Sequence, residues 1–134
     1  MRLLRVIYGL LESDRAWMEG KEDSTWHEID GEVQLETSSG LIHVSWASEP
    51  TQYSMNYQSA SHLLDGAGHA TDASAWPIWR NCVGGTIELD YLDEEHQVLE
   101  VRGENGSVFL SSQEQGKWWS DVVHISKLKP KPGS

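Results

Sequence analysis

Two segments of the chain alternate strictly between polar and apolar side chains. Residues 28–36 carry an acid or an amide at every even position, and residues 86–92 place acids between apolar side chains. Successive side chains of a strand point to opposite faces, so both segments predict strands with an acidic outer face. The candidate partner-binding acids are Glu28, Asp30, Glu32 and Glu36 in this first acidic segment, and Glu88, Asp90, Asp93 and Glu94 in the second, which extends into a turn.

Further apolar runs separated by turn residues predict a mainly β (α+β) fold, built as an antiparallel meander and hairpin sheet. Residues 3–11 contain a first strand candidate, and residues 31–46 predict a hairpin that closes at Gly40 with Trp46 facing the core. Residues 86–126 predict a meander with an Asn-Gly turn. The polar residues 17–25 predict a loop.

One short helix is expected near residues 74–83, with Pro77 in its first turn and glycines at its end. Trp79 and Cys82 would share its buried face, which favours an inert packing role for the thiol. A tryptophan stands five residues before a glycine at both Trp26 and Trp79, each time ahead of an acidic segment. Two similar halves would explain this spacing, and so would chance.

The length of 134 residues predicts one globular domain over residues 1–128, followed by a flexible basic tail over residues 129–134. A lone cysteine excludes an intramolecular disulfide and suits a reducing compartment. The first residues imitate a signal peptide, but Arg5 interrupts the apolar run and no cleavage site follows. No apolar stretch is long enough to cross a bilayer. We therefore expect a cytoplasmic protein.

The charge balance narrows the choice of partner. Ten basic residues stand against 21 acidic ones, which gives a formal net charge of -11. Such a surface repels phosphate backbones and anionic lipids, so we expect no nucleic acid and no membrane as partner. It attracts a basic protein and accelerates the encounter. The alternative is that the charge only keeps the protein in solution.

Seven tryptophans against one phenylalanine supply candidate anchors for a partner. Trp118 and Trp119 are adjacent, so on a strand they face opposite ways and one lies near the surface. Trp17 and Trp26 stand in polar context. Exposed indoles are typical interface anchors, and they also stack on sugars. We take Trp26, Trp118 and Trp119 as partner-binding candidates, with edge-covering aromatics as the alternative.

The stretch between residues 62 and 72 combines ligand types that suit a divalent metal. The candidates are His62, Asp65, His69 and Asp72. Glycines in the middle argue against a helix that would bring them to one face, and polar turn contacts explain them equally well. We therefore predict no cofactor. Outside this stretch, His27 and His43 are expected to face outward with the acids.

The chain shows no nucleophile motif and no phosphate-binding glycine loop, and acids on an exposed strand face lack the burial that shifts a catalytic pKa. The predicted function is a non-enzymatic, acidic protein-binding domain. In size and charge it is similar to immunity proteins, which neutralise basic nuclease toxins with carboxylates that stand in for phosphates. The alternatives are a small metal-dependent enzyme or metal-binding protein using residues 62–72, a tryptophan-lined small-molecule or carbohydrate binder, and a plain structural domain. The oligomeric state stays open.

Overall fold

A computed structural model describes residues 1–62, 70–114 and 118–130, with only the backbone at Glu114 and Trp118. Within these ranges the chain is mainly β, as predicted, with ten strands and two short helices. The elements in chain order are β1 (Leu3–Gly9), α1 (Glu12–Met18), β2 (Trp26–Ile29), β3 (Glu32–Thr37), β4 (Gly40–Ala47), β5 (Ser54–Ala60), β6 (Ala70–Asp72), α2 (Pro77–Arg80), β7 (Ile87–Tyr91), β8 (Val98–Gly103), β9 (Gly106–Glu114) and β10 (Trp118–Ser126).

The described strands form two antiparallel sheets of five. The first sheet has the order β5-β4-β3-β1-β6 and the second the order β2-β10-β9-β8-β7. Apolar side chains from both sheets and from α2 form one buried core, in which Trp79 and Tyr8 are the largest fully buried side chains. The two sheets do not correspond to two halves of the chain, because β2 comes early in the sequence but pairs with β10 in the second sheet.

The predicted hairpin is present as β3 and β4, with Val33 opposite Val44 in the core. Trp46, expected inside, is 37% exposed, although Met55, its partner across the sheet, is fully buried. The predicted short helix is α2, which begins at Pro77 and buries Trp79.

The prediction of a loop over residues 17–25 is wrong at its start, because α1 extends to Met18. A helix of seven residues spans about two turns, so its apolar positions show no periodicity that a sequence pattern could reveal. Its stability comes from tertiary contacts instead, as expected for so short a helix. Among the described residues, no helix has the length and apolar character needed to cross a membrane.

The first acidic segment is divided between the two sheets. Glu28 lies on β2 in the second sheet, whereas Glu32 and Glu36 lie on β3 in the first. The chain changes sheets at Gly31, where an added Cβ would stand 1.8 Å from the carbonyl oxygen of Gly9. Only glycine fits so close an approach to another backbone. The uninterrupted outer face expected for residues 28–36 therefore does not exist.

Two side chains expected at the surface are buried. His27 is fully buried, because it lies two residues before Ile29 on β2 and its side chain therefore points to the same inward face. Gln34 is 1% exposed, and its amide donates a hydrogen bond to the backbone oxygen of His62. His43 is half-buried, and its Nε2 lies 2.5 Å from a carboxylate oxygen of Glu32.

Candidate functional site

The structure does not gather the predicted partner-binding acids on one surface. β2 and β7 are opposite edges of the second sheet, so Glu28 and the acids of β7 are separated by about 19 Å at the usual spacing of neighbouring strands. Glu32 and Glu36 belong to the other sheet. A single docking patch made of both acidic segments is therefore not formed.

Most strand acids also have a basic partner within the chain. Arg102 lies 2.6 Å from Glu88 and 2.7 Å from Asp90, and these contacts raise the pKa of its guanidinium. Each exposed pair contributes little to stability, but it cancels much of the local field. Further strand pairs among the described residues are Arg5 with Glu36 at 2.5 Å, Arg102 with Glu100 at 3.6 Å, His43 with Glu32 at 2.5 Å and His124 with Glu28 at 2.9 Å. The two imidazoles neutralise their acids only when they are protonated.

The predicted indole anchors have different surroundings. Trp26 is half-buried, 5.4 Å from the ring of Trp17, and stacks on His124 at 5.2 Å. Trp119 is half-buried on β10. The side chain of Trp118 lies outside the described residues.

Two of the four proposed metal ligands lie among the described residues. Asp65 and His69 lie outside the described residues, His62 is exposed, and Asp72 accepts a hydrogen bond from the backbone of Ser74. Across residues 1–62, 70–114 and 118–130, no group of three or more His, Cys, Asp or Glu side chains could hold a metal ion.

Helix α1 lies between two surface depressions lined by acids and an indole. The larger, here called the α1 groove, has a volume of about 520 Å³ and is lined by Leu10, Glu12, Arg15, Ala16, Met18, Glu19, Glu22, Thr71 and Trp76. The smaller, here called the β2 cleft, has a volume of about 190 Å³ and is lined by Ser13, Asp14, Trp17, Glu28, Ile29, Asp30 and Val122. Together they form what we call the α1 face.

Negative charge is concentrated on this face. Residues 12–30 contain seven acids and two bases. Of the two bases, Arg15 lies 3.8 Å from Glu12, and Lys21 lies 4.7 Å from the Trp17 ring centroid while its ammonium donates to the Trp17 carbonyl. The ion pairs found among the described residues include none with Glu19, Glu22 or Asp23. These acids do not alternate with apolar residues, so strand periodicity does not reveal them.

Asp14 fixes α1 to the start of both sheets. Its carboxylate is 4% exposed and accepts hydrogen bonds from the backbone nitrogens of Leu11 at 2.9 Å, Asp30 at 2.8 Å and Gly31 at 3.0 Å. Three donors aimed at one buried carboxylate satisfy it well and make the α1 face a preorganised surface.

A buried polar network lies behind the α1 groove. Trp79 donates its indole N–H to the Tyr8 hydroxyl oxygen at 2.7 Å, and that hydroxyl is 2.9 Å from Nδ1 of His27. Nε2 of His27 is 3.1 Å from the Lys21 carbonyl oxygen. Burial raises the pKa of Tyr8 and lowers that of His27, because both charged forms lose solvent.

Glu28, His124 and Ser111 follow one another in space in the order acid, base and hydroxyl of a hydrolytic triad. Glu28 pairs with Nδ1 of His124, and Ser111 stands directly opposite His124 on β9. The Ser111 hydroxyl is fully buried and has no hydrogen-bond partner among the described residues. A nucleophile has to reach both its base and its substrate, and this hydroxyl does neither.

A third depression, with a volume of about 350 Å³, lies on the first sheet beside Glu32, His43 and Gln58. Its described lining residues are mostly polar and include no tryptophan, so they lack the stacking surface that a carbohydrate site uses. Comparison of the chain with protein-family models, curated proteins and solved structures finds no match. Of the described surfaces, the α1 face is therefore the candidate functional site.

Proposed function

We propose that this chain is a non-enzymatic protein-binding domain that docks a basic protein on its α1 face. The observation that supports this most is the group of acids at Glu19, Glu22 and Asp23, which have no ion-pair partner among the described residues and stand beside an indole-lined groove. The strand acids, by contrast, are mostly paired with bases of the chain itself.

The α1 groove suits a segment that is basic on one side and apolar on the other. Leu10, Met18 and Trp76 give it apolar walls, and its glutamates supply negative charge. Interfaces commonly combine an aromatic anchor with charges at the rim, and the rim charges act mainly on the association rate. An amphipathic basic segment would contact both the apolar walls and the negative charges of the groove.

The partner class that fits this charge pattern is a nuclease toxin, which makes the chain a toxin-neutralising immunity protein of the cytoplasm. A nuclease surface that binds phosphates is basic, and carboxylates can occupy the positions that phosphates would take. The net charge of -11 supports the same proposal, because it accelerates the approach of a basic protein.

The location of the site can be tested with a synthetic amphipathic peptide rich in lysine and arginine, titrated into labelled protein and followed by NMR. We expect the backbone shift changes to cluster at residues 12–30 and 71–76, because the groove and the cleft are there. Changes centred on residues 88–94, or spread evenly over the surface, would contradict a docking site at α1.

Two double variants with equal charge separate local docking from net charge. Glu19→Gln with Glu22→Gln should lower the association rate of the peptide about tenfold and flatten its salt dependence. The matched control is Glu94→Gln with Glu95→Gln, which removes the same charge from the exposed β7–β8 turn and should change the rate less than about twofold. Equal effects from both pairs would show that only the net charge matters.

A further inference from the structure

The β2 cleft combines an aromatic wall, apolar side chains and negative charge in a space the size of one side chain. Its volume is about 190 Å³, and a cavity of about 150 Å³ is enough to hold a benzene molecule. Trp17 supplies the aromatic wall, and Ile29 and Val122 are apolar. The described lining contains no base and three acids, which are Asp14, Glu28 and Asp30.

The ring of Trp17 is held in place and already lies against a cation. The ammonium of Lys21 is 4.7 Å from the ring centroid and donates to the Trp17 carbonyl at 2.7 Å, which holds it at the end of α1 and outside the described lining of the cleft. The ring of Trp26 packs on Trp17 at 5.4 Å. An indole face attracts cations through its quadrupole. The charge of Lys21 opposes a second cation nearby, whereas the three acids of the lining attract one.

Asp14 fixes the two walls of the cleft relative to each other and can still accept a hydrogen bond. It stands on α1, its side chain is 4% exposed, and it accepts from the backbone nitrogens of Leu11, Asp30 and Gly31. An ionised carboxylate accepts about four hydrogen bonds, and the described residues supply three. The cleft is therefore preorganised, which lowers the cost of binding, and its buried acid can accept from a ligand.

The shape of the cleft favours arginine over lysine. A guanidinium is planar, weakly hydrated and carries five donors, so it stacks on an aromatic ring and bonds carboxylates at the same time. An ammonium is compact and strongly hydrated, and therefore uses a flat wall less well. Trp17 provides the ring, the exposed Asp30 provides a carboxylate, and Glu28 provides another that also pairs with His124 at 2.9 Å.

We propose that the β2 cleft receives one arginine side chain of the basic partner, with its guanidinium stacked on Trp17 and hydrogen-bonded to the carboxylates of the lining. This site rests on the function proposed above, because it supplies the anchor of the same docking surface. Trp17 is then the residue that distinguishes arginine from lysine. The α1 groove accepts the rest of the segment through charge and apolar contact, without this distinction.

A small probe tests the cleft without any protein partner. N-acetyl-arginine amide is titrated into labelled protein and followed by NMR. We expect the indole N–H of Trp17 and the backbone of residues 28–30 to shift, because they line the cleft. The matched citrulline derivative, which has the same shape without the charge, should shift them far less. Equal shifts from both compounds, or no shift at Trp17, would overturn the arginine site.

Two basic peptides of equal length and charge test the role of the ring. One carries only arginine and the other only lysine at its basic positions. The wild type should bind the arginine peptide at least about fivefold more tightly. Trp17→Leu should reduce this ratio to less than about twofold, and the control Trp46→Leu, at an indole on β4 that is 37% exposed, should retain it. A wild type without the preference, or a Trp17→Leu variant that keeps it, would overturn the proposal.

A second pair of variants keeps the indole and so does not depend on how well Trp17→Leu folds. Asp30→Asn and Asp121→Asn each remove one exposed carboxylate, from the cleft and from β10 respectively. Asp30→Asn should lower the affinity for the arginine peptide by about threefold or more, and Asp121→Asn by less than half as much. Equal losses would show that the peptide responds to net charge and not to the cleft.

These experiments separate the arginine site from the docking function. Equal affinity for both peptides, with shifts at residues 12–30, would overturn the arginine site and leave docking at the α1 face intact. Peptides that bind elsewhere, or that do not bind, would overturn the docking function, while the titration with N-acetyl-arginine amide would still decide the arginine site.

Discussion

Asp14 connects three parts of the molecule through a single carboxylate. Its donors belong to the residue before α1, to the turn between β2 and β3, and to the glycine where the chain changes sheets. In the sequence it is one acid among 21 and carries no distinguishing pattern. Its role depends on donors up to 17 residues away, which only the folded chain brings together.

Asp14→Ala should lower the free energy of unfolding by about 2–4 kcal/mol, because three backbone donors lose a charged acceptor at a buried site. Urea unfolding at neutral pH measures this. The neighbouring exposed Ser13→Ala is the matched control and should change the stability by less than about 0.5 kcal/mol. Equal stability of the two variants would show that the Asp14 hydrogen bonds contribute nothing.

At the scale of elements, the decisive feature is the break between β2 and β3. The alternation of residues 28–36 correctly predicts strands and their parity, so His27 could have been assigned inward together with Ile29. Periodicity does not show that Gly31 sends the two strands into different sheets, because parity carries no information about pairing partners. The same limit applies to α1, which is too short to display a period.

Gly31→Ala should destabilise the protein by more than about 3 kcal/mol, because its Cβ would overlap the Gly9 carbonyl and backbone must move. Thermal or urea unfolding measures the loss. Gly85→Ala is the control, since its Cβ would make an ordinary contact of 3.6 Å with the Cys82 carbonyl oxygen. A Gly31→Ala variant as stable as the control would mean that the chain can change sheets without this close approach.

At the scale of the whole molecule, charge is distributed unevenly. Strand acids pair with Arg5, Arg102, His43 and His124, whereas Glu19, Glu22 and Asp23 have no ion-pair partner among the described residues. Composition correctly indicates an excess of negative charge but not its location. Regular spacing favours the strand acids Glu36, Glu88 and Asp90, and these are paired with Arg5 and Arg102 in the structure.

Raising sodium chloride from about 0.02 M to about 0.5 M should raise the urea midpoint of unfolding, because salt screens the self-repulsion of a chain with net charge -11. The exposed ion pairs oppose this effect, but each is worth little. Glu94→Gln with Glu95→Gln reduces the formal charge to -9 and should show a smaller rise. A midpoint that falls with salt would show that attraction between charges dominates.

The sequence by itself determined the mainly β architecture, the β3–β4 hairpin, the short helix at Pro77 and the sign of the charge. These properties follow from local alternation, turn residues and composition, which can be read from neighbouring positions. The tertiary structure alone decided which strands pair, which acids keep a local excess of charge and where His27 meets Tyr8 and Lys21. Such contacts join residues distant in sequence, and they are selected by the packing of the whole core rather than by any local pattern.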